Sequence, residues 1–225
     1  MKRFVVIVAG GKGSRMLSEI PKQFLELNGM PILIHTIKRF TSFSDIEVLL
    51  VLPEDQITLW EELCSKYSFQ SPQVIKGGDS RFQSVKNGLA AIDADEGLVA
   101  IHDGVRPFVS KSIIVSNFSN AENQGSALTV VDLKDSLRQI IGANSYSLKR
   151  SDFRLVQTPQ TFSLKKIKEA YSVSYKDEFT DDASVFEAAG NEIHLVQGDY
   201  KNIKVTTPED LVIAESIMES FKFDV

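Results

Sequence analysis

The chain has 225 residues, 43% of them hydrophobic, and a formal net charge of −5. That is enough apolar material for one large domain with a full core, and the acidic balance excludes a general nucleic-acid binder, which needs a broad basic surface. The single cysteine, Cys64, can form no internal disulfide, and no apolar run nears the roughly 18 residues of a membrane span, so the expected setting is the cytoplasm.

The first predicted element is the strand "FVVIV" (4–8), whose apolar run breaks at Gly10, too early for a signal peptide. It opens into "AGGKGSRMLSEIPKQF", where Gly10, Gly11 and Gly13 are interleaved with Lys12, Arg15 and Lys22. Glycines let a backbone approach a phosphate chain with its amides turned inward, and cations beside them point to an anionic ligand. The loop is neither a Walker loop, lacking the GK[ST] ending, nor G-x-G-x-x-G, since Met16 stands at the third glycine position. A helix over 31–40, a strand at 47–52, a helix over 54–67 and a strand at 73–76 follow. "GGDS" then leads into a helix over 81–92, with Asp79 or Ser80 as its N-cap. A strand at 98–102 runs into "HDGVRPF", and a helix over 110–123 precedes a strand at 127–131. This alternation predicts a Rossmann-like α/β fold: a mainly parallel sheet with helices on both faces and ligands at the carboxyl ends of the strands.

The rhythm breaks in the polar stretch 132–162, which reads as an extended hairpin leaving the sheet, a β-arm at about 132–157. Helices at about 164–175 and 182–189, a strand at 192–198 and a closing helix from Pro208 complete a single domain over 1–225. Thr207 and Pro208 supply the start signal of that last helix.

The chemistry-bearing residues are cations and one carboxylate. Asp103 and Arg106 stand just past a strand end, where a carboxylate can hold Mg²⁺ together with phosphate oxygens and water. His35, His102 and His194 have no metal-ligand spacing, and no serine sits in G-x-S-x-G, so hydrolase chemistry lacks support. A missing general base suits one reaction class. A phosphate monoester is largely dianionic at neutral pH and is already a nucleophile. Such a reaction needs anion repulsion overcome and the reacting phosphate held in line with its leaving group.

"GGKGSRM" with "PKQF" resembles the signature of sugar-nucleotide and alcohol-phosphate nucleotidyltransferases, and in particular the 2-C-methyl-D-erythritol 4-phosphate cytidylyltransferase family. "GGDSRFQSV" (77–85), "HDGVRPF" (102–108), "TPQTF" (158–162), "TDDASVFE" (180–187) and "NIKVTTPEDL" (202–211) follow in the family's order, so the resemblance spans the chain. It implies that Ala9, Gly10 and Gly11 line a CTP site, that Gly78, Asp79 and Ser84 read the cytosine, and that Arg15, Lys22 and Lys204 act on the phosphates. It further implies that Asp103, Arg106, Ser136, Thr158 and Thr180 bind methylerythritol phosphate, with Asp103 also the Mg²⁺ ligand. Arg150 on the arm matches a catalytic position, with Arg154 as a competing candidate. Arms paired across a two-fold axis, hiding Ile140 and Ile141, would make a homodimer in which each site borrows residues from its neighbour. The alternative substrate is ribitol 5-phosphate, whose enzymes tend to read HDSVRPF and TDA; Gly104 and "TDDASVFE" favour the isoprenoid reaction. A catalytically silent nucleotide-binding module is the alternative of a different class.

Overall fold

The computed structural model describes residues 1–11, 16 and 20–220. Its centre is a seven-stranded sheet built from β1 (Arg3–Val8), β4 (Ile46–Leu52), β5 (Gln73–Lys76), β6 (Leu98–Asp103), β7 (Ser126–Asp132), β10 (Arg154–Ser163) and β11 (Leu195–Gln197). Across the sheet their order is β11-β7-β10-β6-β1-β4-β5. β1 pairs in parallel with both β4 and β6, β4 with β5, and β7 with β11. Two small antiparallel pairs stand apart, β2 (Glu26–Leu27) with β3 (Met30–Pro31) and β8 (Leu137–Ile141) with β9 (Asn144–Leu148).

The continuous apolar runs of the first strands are explained by burial on both faces. Val5 and Ile7 of β1, with Leu50 and Leu52 of β4, face one core that includes Trp60, Phe40 and Phe118. Phe4, Val6, Leu49 and Val51 alternate to the other face and pack with Phe82, Leu89, Phe162 and Phe186. The first core is covered by α1 (Ile32–Thr41), α2 (Ile57–Lys66) and α4 (Lys111–Gln124). The second is covered by α3 (Arg81–Ala90), α5 (Leu164–Ala170) and α6 (Asp182–Ala188). The closing helix α7 (Pro208–Ser220) begins where the threonine–proline signal puts it, and Thr207 Oγ1 accepts from the Asp210 backbone N–H.

The expected strands and helices of residues 4–131 are all present, with shifted ends. The helix expected over 164–175 stops at Ala170. The polar stretch 132–162 contains more than an arm. β8 and β9 form the hairpin, but from Arg154 the chain re-enters the sheet as β10, antiparallel to both β6 and β7. Alternation does not reveal this strand because its inner residues, Gln157, Thr158, Gln160 and Thr161, are polar yet buried. Gln157, Thr158 and Gln160 find their partners on other parts of the chain.

The chain runs β1 to β4 to β5 outward on one side, then crosses back to lay β6 on the other side of β1. A crevice opens at such a reversal, between the carboxyl ends of the diverging strands. The loops after β1, β4, β5 and β6 converge there.

Helix α3 crosses closely beneath this point. A Cβ on Gly88 would come within 2.5 Å of Val6 Cγ1 and 2.9 Å of Val51 Cγ2. Helix propensity alone favours Gly88→Ala, but the overpacking of two central strands should prevail and cost about 1–3 kcal/mol. Urea unfolding should therefore show a lower midpoint for this variant; a midpoint at or above wild type would contradict the close approach.

Candidate active site

Two cavities meet at the crevice. The first, about 370 Å³, is lined by Ala9–Gly11, Lys22, Gly78, Asp79 and Ser84, among others. The second, about 290 Å³, is lined by Arg106, Gln157, Thr158, Gln160, Thr180 and Asp181. Arg81, Asp103 and Lys204 belong to both.

The wall of the first cavity is made of strand ends. Ala9 leaves β1 with its N–H bonded to Val51 O at 3.0 Å, and its own carbonyl accepts from Gln23 Nε2 at 2.7 Å. A Cβ built on Gly11 would lie 3.3 Å from Lys22 Nζ, so the lysine of "PKQF" is folded back against the glycine loop. Ser80 caps α3, its hydroxyl accepting from the Gln83 N–H. The Ser84 hydroxyl, one turn on, accepts from the Gly78 N–H at 3.1 Å and so fixes the loop that carries Asp79. Gly104 is required by crowding: a Cβ there would stand 2.6 Å from Ala9 Cβ and 3.1 Å from Leu33 Cδ1. The loops after β1 and β6 touch across it.

Asp103 is the electrostatic centre. Its Oδ2 accepts from Lys204 Nζ and from Arg106 Nε, each at 3.1 Å, and Arg81 Nε stands 4.0 Å from Oδ1. Burial by itself would push this carboxyl up, but Lys204, Arg81 and Arg106 outweigh it and hold it well below the usual carboxylate range. Asp103 is therefore ionised throughout the neutral range. Arg106 is buried and also donates to Asn202 O at 2.8 Å. Asn202 in turn donates to Thr158 O at 2.9 Å and to Gln157 Oε1 at 3.2 Å. Gln160 ties β10 to α6, donating to Asp181 Oδ2 and accepting from the Ala183 N–H.

Behind Asp103 lies a second fastening. The Thr158 hydroxyl accepts from the Asp103 N–H and meets His102 Nδ1, each at 3.0 Å. His102 Nε2 lies 3.2 Å from Arg106 O, an atom that can only accept. The proton is thus on Nε2, and Nδ1 accepts from Thr158. The imidazole is neutral, its pKa lowered to about 4 chiefly by complete burial.

Of the residues singled out in the sequence, Ala9, Gly10, Gly11, Lys22, Gly78, Asp79, Ser84, Asp103, Arg106, Thr158, Thr180 and Lys204 all line one or both cavities. Arg15, like Lys12, lies outside the described residues. Ser136 and Arg150 line neither cavity. Both are exposed, and Arg150 donates to Lys134 O at the root of the arm, where Arg154 pairs with Asp132 at 3.1 Å. Arg81, Gln157, Gln160, Asp182 and Asn202 were not singled out by motif reasoning. Arg81 reads as the first residue of a helix, and the two glutamines read as arm polarity.

Among the described residues no cluster of three or more His, Cys, Asp or Glu side chains could hold a metal on protein ligands alone. Asp103 suits a Mg²⁺ that takes its remaining ligands from phosphate and water, because Oδ2 carries both short bonds and Oδ1 faces Arg81 only at 4.0 Å.

A doubly wound sheet, glycine-lined at its switch point and carrying lysines and arginines, defines a nucleotidyltransferase of the Rossmann-like α/β class. The family model described as IspD, 2-C-methyl-D-erythritol 4-phosphate cytidylyltransferase, matches residues 4–220, and the chain belongs to this family. The enzyme of that name from Phocaeicola vulgatus is 49% identical over 220 residues, covering 97% of this chain and 100% of its own. That from Bacteroides thetaiotaomicron is 45% identical with the same coverage. The crystal structure of the Thermus thermophilus enzyme superposes with a TM-score of 0.77 at 31% identity, over 97% of this chain and 100% of that one.

The buried imidazole makes stability pH-dependent. His102 ionises near pH 6.5 in an unfolded chain and near 4 when folded. Between those values the unfolded state binds the extra proton, so stability is fully present above pH 6.5 and is lost as pH falls toward 4. His35, also lowered by burial, acts in the same direction. The His102 contribution is on the order of 3 kcal/mol. Urea midpoints should fall between about pH 7 and pH 4.5, with a shallower slope for His102→Gln; a flat wild-type profile would contradict a neutral His102.

Proposed function

We infer that this protein transfers the cytidylyl group of CTP to 2-C-methyl-D-erythritol 4-phosphate, giving 4-diphosphocytidyl-2-C-methyl-D-erythritol and pyrophosphate. The observation that carries the reading is the junction of the two cavities, where Arg81, Asp103 and Lys204 face both. One cavity offers strand-end backbone and Lys22 to a nucleotide, and the other offers Arg106, Thr158 and Thr180 to a phosphorylated polyol. Ribitol phosphate is the less favoured acceptor. Gly104 is hemmed in by Ala9, so the serine of HDSVRPF would need the first loop to move.

The acceptor's phosphate oxygen attacks the α-phosphorus of CTP, forming the new P–O bond as the bond to the β-phosphate oxygen breaks. Pyrophosphate carries away the electron pair. No proton need be removed from the nucleophile, which is why neutral, buried His102 serves position rather than chemistry. The protein's contribution is alignment and charge. Arg15 and Lys22 serve the α-phosphate and Lys204 the approaching monoester, while Gly78, Asp79 and Ser84 select cytosine. Asp103 would hold Mg²⁺, whose chemistry when bound is neutralisation of triphosphate charge. With one cysteine and no disulfide to form, the enzyme suits the reducing cytoplasm.

We also propose that the active unit is a homodimer joined through the arm at about 132–157. Ile140 and Ile141 are exposed on a lone two-stranded hairpin, a marginal structure in water. Ser136 and Arg150 line neither cavity of their own chain, and pairing would bring them to the neighbour's second cavity, where they would bind the sugar phosphate.

Pyrophosphate release from CTP with methylerythritol phosphate, ribitol phosphate or hexose phosphates should select the first acceptor; its failure with methylerythritol phosphate would overturn the assignment. Lys22→Ala and Lys204→Ala should each lower kcat by about 10²–10³ with the fold retained. Near-normal turnover in either would remove that lysine from the site. Mixing inactive Lys22→Ala and Arg150→Ala chains should restore activity, because one site of the mixed dimer regains both residues. If exchange is confirmed and no activity returns, each chain builds its own site.

A further inference from the structure

Arg81 is the first residue of α3, beside the loop that lines the nucleotide cavity, and its guanidinium reaches the opposite wall. There NH1 donates to Asp182 Oδ1 at 2.8 Å and NH2 to Oδ2 at 2.6 Å, a bidentate fork on a fully buried carboxylate. The Tyr171 hydroxyl donates to the same Oδ1 at 2.6 Å. Asp182 opens α6, whose preceding residues Thr180 and Asp181 line the acceptor cavity. One ion pair, buried on its carboxylate side, thus joins the nucleotide wall to the acceptor wall.

A fork of this kind fixes the guanidinium plane without consuming it. Arginine has five N–H donors, and the two bonds to Asp182 leave Nε–H and one hydrogen on each terminal nitrogen. The side chain keeps 35% of its surface exposed, and that surface lines both cavities. Nε stands 4.0 Å from Asp103 Oδ1, too far for a hydrogen bond, so this donor is not consumed by that carboxylate. Burial disfavours the charged guanidinium, but Asp182 outweighs this and keeps it protonated.

We propose that Arg81 is a further substrate-positioning residue, clamped by Asp182 and Tyr171, that presents its free N–H groups to phosphate oxygens where the two substrates meet. This rests on the cytidylyl-transfer reading. Its contacts form when both phosphates are present, so its loss is felt in acceptor use and turnover more than in nucleotide binding. Asp182 and Tyr171 act through Arg81 and touch no substrate.

The test compares Arg81→Lys, Arg81→Gln and Asp182→Asn with wild type. It measures initial rates against CTP and methylerythritol phosphate, and titrates CTP calorimetrically without acceptor. Arg81→Gln should lower kcat by at least about 30-fold and raise the acceptor KM, with the CTP Kd changed less than about threefold. Arg81→Lys should retain part of the activity, since it keeps the charge and loses the fork. Asp182→Asn should fall between them. Because an unpaired buried carboxylate can unfold a protein, the combined variant Arg81→Met, Tyr171→Phe, Asp182→Leu removes all three polar partners together. It should keep the wild-type Tm and CTP affinity while remaining as inactive as Arg81→Gln. Wild-type kcat and acceptor KM in Arg81→Gln or in the combined variant would overturn the proposal. So would losses that track Tm and CTP affinity in parallel, which mark a merely structural clamp. Wild-type turnover, measured alongside, separates these results from failure of the cytidylyl-transfer reading itself.

Discussion

The carboxylate of Asp103 is held by cations from three separate parts of the chain: Lys204 ahead of α7, Arg106 in the loop after β6, and Arg81 at the head of α3. Without the carboxylate these cations would repel one another across the junction of the two cavities. Without them, a carboxylate so buried would take up a proton. Their mutual dependence brings three loops to one point, and each loop is then fastened a second time. Arg106 donates to Asn202 O, Arg81 forks onto Asp182, and the Asp103 N–H donates to Thr158. The positive charge left over after these pairings is available to phosphates.

Strand order determines where that point falls. A sheet that winds outward from β1 and then returns to its other side leaves a crevice at the reversal. The antiparallel strand β10 completes it from the far side. Its register against β7 shifts between Val156 and Gln160, and Gln157 and Thr158 lie in that shift facing the acceptor cavity. Three polar residues of β10 are buried here because they bond to groups brought in from other parts of the chain. Gln157 meets Asn202, Thr158 meets His102, and Gln160 caps α6. The acceptor wall is a hydrogen-bonded lattice on an apolar base.

Such a site works by position and charge. The reaction joins two anions, so the chemistry needed is neutralisation and alignment, both of which a rigid array of fastened cations supplies. Membership of the cytidylyltransferase family accords with this arrangement. Among the described residues the histidines are all engaged in hydrogen bonds within the fold: His35 with Leu27 O, His102 with Thr158 and Arg106 O behind the site, and His194 with the Ser126 hydroxyl.

The sequence by itself determined the α/β class, the helix starts and the ordered motifs. Those signals are local: apolar runs buried on both faces, Asp79 or Ser80 as a cap, Thr207 before Pro208, and glycines next to cations after a strand. It also singled out Lys22 and Asp103, because phosphate chemistry restricts which residue types can serve, and Lys204 through the family motif "NIKVTTPEDL". Only the tertiary structure decided that 154–163 is an inner strand, since buried glutamines and threonines read as surface until their partners are known. It likewise decided the part played by Arg81, Asp182 and Asn202. Arg81 and Asp182 are 101 positions apart, and Arg106 and Asn202 are 96. The worth of a buried polar group lies in the partner that desolvation forces it to find, and no local pattern records that partner.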